Sequence, residues 1–66
     1  MHILVTVKDG KLWGLDKLLV ENGPVGGQAI DLIGEQVEHL NHYDIDQIKD
    51  NHELQYGEYQ FYIREI

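Results

Sequence analysis

The 66-residue chain contains no cysteine and no serine, and it has a single threonine and a single proline. Without cysteine it has no disulfide, no thiolate zinc site and no cysteine nucleophile. Apart from the tyrosines, Thr6 is the one side chain with a hydroxyl group, and it lies within a predicted strand with no base near it in sequence. We therefore expect no enzymatic activity, no catalytic residue and no cofactor.

Long apolar segments are also missing. The longest runs, Ile3–Val5 and Leu18–Val20, are only three residues each, whereas a transmembrane helix needs about 20 apolar residues. No basic region precedes an apolar stretch at the N-terminus, so no signal peptide is expected. The length is that of one small domain, residues 1–66, which we expect to be cytoplasmic and away from membranes.

Basic residues are scarce, because five Lys and Arg stand against twelve Asp and Glu and give a net charge of −7. The excess is uneven, with a net charge of −1 in residues 1–33 and −6 in residues 34–66. An acidic surface repels nucleic acid and anionic lipid and attracts basic protein surfaces. The composition thus predicts a protein partner with a basic surface and no direct binding to nucleic acid or membrane.

The ends of the chain have the patterns of strands. Residues 2–8 are rich in β-branched residues, and residues 53–56 and 59–66 alternate between apolar and polar. Asp9-Gly10 and Gly57-Glu58 are tight-turn signals. Between the first turn and Glu21 the pattern is ambiguous. The leucine spacing favours a helix over residues 11–21, although Lys11–Trp13 would also fit the second strand of a hairpin.

Residues 28–40 have the clearest helical pattern, followed by a short helical turn over residues 44–49. The order is β-α-α-(short α)-β-β, which predicts an α+β domain with a three-stranded, mostly antiparallel sheet and helices on one face. The predicted core consists of Ile3, Val5, Leu15, Leu19, Ile30, Ile33, Val37, Leu40, Phe61 and Ile63.

Acidic residues recur along the predicted helix, with Asp31, Glu35 and Glu38 at i, i+4 and i+7 and with Asp44 and Asp46 following. On a helix, carboxylates at this spacing lie about 6 Å apart, which is near the spacing of phosphates along a nucleic-acid strand. The pattern therefore suggests a DNA mimic, while the alternative is a solvated face that keeps the protein soluble.

In size and acidity, though not in any motif, the chain is similar to the short phage- and mobile-element-encoded inhibitors of host nucleic-acid enzymes. That resemblance implies an inhibitor that occludes a basic, nucleic-acid-binding surface of a target protein.

A domain this small has a thin core, so self-association is expected, most simply as a homodimer. Trp13, Val20 and Tyr62 are the predicted apolar anchors of such an interface. For Trp13 the alternative is packing over the edge of its own core. If assembly were the function, the protein would be a structural or scaffolding homodimer, and its acidic residues would serve only for solubility.

A further alternative is a small regulator, either winged-helix-like or metal-binding. The element order resembles a winged helix that lacks its first helix, with residues 11–40 as the helix-turn-helix and residues 53–66 as the wing. The resemblance implies DNA binding, but the helix that would read DNA has no Lys or Arg. His39 and His42, at i, i+3 in a predicted last helical turn, are weak candidates for metal ligands.

Overall fold

The computed structural model describes residues 1–19 and 26–66. It confirms an α+β domain with helices on one face of an antiparallel sheet, but the sheet has four strands rather than three. In chain order the elements are β1 (His2–Lys8), β2 (Lys11–Leu18), α1 (Gly26–Gly34), α2 (His42–Asn51), β3 (Glu53–Tyr56) and β4 (Tyr59–Glu65).

The fourth strand is β2, so the helix predicted over residues 11–21 is wrong for its described part. Asp9 and Gly10 have φ values of 54° and 75°, as the two central residues of a type I′ hairpin turn require. Lys11 then lies opposite Lys8, and the pairing continues to Leu18 opposite His2. The winged-helix resemblance fails for the same reason, because residues 11–18, which would begin its helix-turn-helix, form a strand.

A β-bulge explains the spacing of the first two leucines of β2. Leu12 lies opposite Val7, but Gly14 lies opposite Thr6, which leaves Trp13 as an extra residue. The extra residue shifts the alternation, so that Leu12 and Leu15, three positions apart, share one face of the sheet, whereas Leu18 is buried on the other face. Residues 20 and 21 of that predicted helix lie outside the described residues.

The sheet has the order β2-β1-β4-β3, so the first strand pairs with the last one in its centre. On the face toward the helices, Leu4 lies opposite Ile63 and Thr6 lies opposite Phe61. All four residues are buried, together with Leu54 of β3.

Both helices differ from the predicted ones in their ends. α1 stops at Gly34 instead of continuing to residue 40. Val37 is still in the core, and its N–H donates to the Ile33 carbonyl at 3.0 Å. Asn41 caps the start of α2, and α2 has ten residues instead of the short turn predicted over residues 44–49. Ile48 of α2 is completely buried.

The predicted core is partly right. Ile33, Val37, Phe61 and Ile63 are buried, whereas Ile3, Val5, Ile30 and Leu40 are only half-buried. The prediction that Leu15 and Leu19 are buried is wrong, since their exposed fractions are 59% and 76%. On β1 the prediction chose the wrong face, because Ile3, Val5 and Val7 form the more apolar face, yet the helices cover the one with Leu4 and Thr6.

A pair of identical substitutions tests the assignment of faces. Leu4→Ala should lower the free energy of unfolding by about 2–5 kcal/mol, because it leaves a cavity beneath the helices. Leu15→Ala makes the same chemical change at a largely exposed side chain and should cost less than about 1 kcal/mol. Urea unfolding at low protein concentration measures both. A larger loss of unfolding free energy for Leu15→Ala than for Leu4→Ala would contradict the observed placement of β2.

Candidate binding surfaces

The two layers of the molecule differ in charge. Residues 26–52, which form the helices and the turn between them, contain six acidic residues and one lysine. The described parts of the sheet layer, residues 1–19 and 53–66, contain five acidic and four basic residues. Most of the net negative charge therefore lies on the helix side. We call its exposed carboxylates the acidic helical layer; they are Asp31, Glu35, Glu38, Asp46 and Asp50.

The acidic helical layer is not the single helical row that the spacing predicts. Asp31 lies on α1, but Glu35 and Glu38 follow the end of that helix at Gly34. The i, i+4, i+7 geometry, and with it the regular 6 Å spacing, is wrong beyond Asp31. The surface is instead assembled from α1, the following turn and α2, where Asp46 and Asp50 stand one helical turn apart.

Asp44 has a structural role that the sequence analysis missed. Its backbone N–H donates to the Asn41 side-chain oxygen at 2.9 Å, and its carboxylate accepts from the Asn41 backbone N–H at 3.2 Å. This reciprocal pair is a capping box, which satisfies donors at the first turn of α2. The N-x-x-D pattern was the signal that could have located the start of this helix.

The second surface is the sheet face opposite the helices, which we call the open face. In the part of the chain that the structure describes, no helix packs on it. Its apolar residues come mainly from β1 and β2, while β3 and β4 contribute mostly polar ones. The apolar members are Ile3, Val5, Val7, Leu12, Leu15 and Tyr62.

Charge on the open face is small. Lys17 and Arg64 lie at one end of it, on either side of Ile3. Glu53 is the one acidic residue that the strand pairing places on this face among residues 1–19 and 53–66, and its carboxylate is 3.9 Å from the Arg64 guanidinium. This face thus combines apolar side chains with a slight positive charge in a protein whose net charge is −7.

The predicted apolar anchors do not form one surface. Tyr62 lies on the open face, whereas its neighbour Phe61 is buried on the face toward the helices. Trp13 contacts Lys8, whose ammonium is 4.6 Å from the indole centroid and 5.3 Å from the ring of Tyr59. Lys8 and Tyr59 belong to the helix side of the sheet, so Trp13 points away from Tyr62. Val20 lies outside the described residues.

The two candidate metal ligands are not on one helix. His39 precedes α2 in an irregular segment, while His42 is the first residue of α2 and packs against Tyr43 with ring centroids 4.1 Å apart. Within residues 1–19 and 26–66, no group of three or more His, Asp or Glu side chains is arranged to hold a metal ion.

Neither of the two described helices has the length and apolarity needed to cross a membrane. Comparisons with known protein families, with curated proteins and with solved structures gave no match.

The capping box generates a stability prediction. Asp44→Ala removes one of its two hydrogen bonds and the favourable charge at the helix N-terminus, and should lower the free energy of unfolding by about 1 kcal/mol. Asp46→Ala is the matched control, because Asp46 is exposed and makes no cap; it should change stability by less than about 0.5 kcal/mol. Equal losses in urea unfolding would argue against the cap.

Proposed function

We propose that the chain is an acidic protein-binding module whose acidic helical layer occupies a basic surface of a target protein. The target class that best fits is a protein whose basic surface otherwise binds nucleic acid, since phosphate backbones select such surfaces. By covering that surface the module would act as an inhibitor by occlusion. It would bind neither nucleic acid nor anionic lipid directly, because both repel its charge.

The observation that supports this proposal is the separation of charge between the layers. A charged face that serves only solubility needs no concentration on one side, whereas electrostatic recognition requires a continuous field of one sign. The five carboxylates Asp31, Glu35, Glu38, Asp46 and Asp50 are all exposed, and Lys49 is the one Lys or Arg in residues 26–52.

The scaffold also supports a preformed surface. Ile33, Val37 and Ile48 anchor α1, the turn after it and α2 to the same core. The Asn41–Asp44 cap fixes the first turn of α2. Carboxylates carried on packed elements lose less conformational freedom on binding than those of an unstructured acidic segment, so more of the electrostatic attraction is available for affinity.

Two triple variants with the same net charge test the proposal. In the first, Asp31→Asn, Glu35→Gln and Glu38→Gln neutralise part of the acidic helical layer. In the second, Asp9→Asn, Glu58→Gln and Glu65→Gln neutralise exposed carboxylates of the sheet layer. Each is immobilised beside the unaltered protein and exposed to a lysate of the source organism, and the retained proteins are identified and their affinities measured.

We expect a retained basic protein whose affinity falls about tenfold or more with the helical-layer variant, and much less with the sheet-layer variant. Its binding should also weaken steeply with added salt and compete with duplex DNA. Equal losses with both variants would mean that only net charge matters. A partner held unchanged by the folded helical-layer variant would refute the proposal and favour acidic residues that serve solubility alone.

A further inference from the structure

The open face leaves large apolar side chains in water. Leu12 and Leu15 are 64% and 59% exposed, and Ile3, Val5 and Val7 between them and β4 are only half-buried. Met1 and Ile66, which pair through two backbone hydrogen bonds at the end of the sheet, extend the same face. Contiguous apolar patches of this kind mark interaction sites on small proteins.

We infer that the open face is the interface of a twofold homodimer, in which the β1–β2 half of one copy packs on the β1–β2 half of the other. The apolar residues are concentrated in this half, and a twofold interface brings the same patch of both copies together. Leu12, Leu15 and Val5 would form its centre, and the polar β3–β4 half would form its rim.

Charge favours the open face over the helices as the contact between two copies. Two copies that met through their helices would bring together layers with six acidic residues and one lysine each. Open faces carry Lys17 and Arg64 against Glu53, so they meet without that repulsion. Sheets that stack about 10 Å apart place the two helical layers roughly 30 Å from each other, well beyond the screening length of about 8 Å in physiological salt.

The area of the open face indicates how tightly the two copies should bind each other. The four strands have seven, eight, four and seven residues in chain order. At about 3.3 Å per residue and about 4.8 Å between strands they give a face of roughly 410 Å² in projection. The side chains make the accessible area larger than this projection, and ordinary specific interfaces bury roughly 800 Å² per partner. We therefore expect a dimer that dissociates in the micromolar range and that hardly responds to salt.

Sedimentation over a micromolar concentration series tests the inference with Leu15→Glu, Leu12→Glu and the control Tyr43→Glu. Tyr43 is another large exposed side chain, at 70%, but it lies on α2. A carboxylate in the open face should raise the dissociation constant about tenfold or more, whereas Tyr43→Glu should leave it unchanged. Circular dichroism verifies the fold, and Leu15→Thr, which suits a strand, should weaken the dimer less than Leu15→Glu.

The inference is overturned by a 7.7 kDa monomer at every concentration, or by a dimer that both open-face variants leave intact. A dimer that Tyr43→Glu disrupts would equally contradict it. The result is independent of the proposed function, because partner binding by the acidic helical layer is salt-sensitive and is assayed with different residues. A dimer without a basic partner, or a basic partner without a dimer, distinguishes the two failures.

Discussion

The pairing of β1 with β4 is the contact on which the rest of the structure depends. Each hairpin is local, closed by a two-residue turn, but a two-stranded hairpin is at best marginally stable in water. Seven antiparallel pairs, from His2–Glu65 to Lys8–Tyr59, join the two hairpins into one sheet. This pairing also sets Leu4 and Thr6 beside Ile63 and Phe61, and so creates the apolar surface that the helices cover.

A sheet covered on one side has consequences for both surfaces. The helices supply Ala29, Ile33 and Ile48 to a single core cluster, and their outward positions are left to polar and charged residues. The opposite face has no such cover among the described elements, yet its strands still carry aliphatic residues. The molecule is therefore divided into an acidic side and an apolar side, and each side can serve a different kind of contact.

If the two proposals both hold, they reinforce each other. A dimer through the open face would point two acidic helical layers in opposite directions, so one assembly would present two charged surfaces to separate basic sites. Linking two binding surfaces raises avidity only where the geometry allows both to be occupied at once. The dimer would also cover the apolar face and relieve the exposure of its leucines and valines.

The sequence by itself determined the strands at residues 2–8, 53–56 and 59–65, both tight turns, the charge and the inward direction of Phe61 and Ile63. These features follow from local patterns. Only the tertiary structure decided the nature of residues 11–18, because the bulge at Trp13 places Leu12 and Leu15, three positions apart, on one face of a strand. It also decided which face of β1 is buried, since Ile3, Val5 and Val7 form the more apolar face and the helices cover the other one. The grouping of carboxylates was likewise tertiary: the predicted helix over residues 28–40 ends at Gly34, and packing of α1, the following turn and α2 on a common core brings their acidic residues to one side.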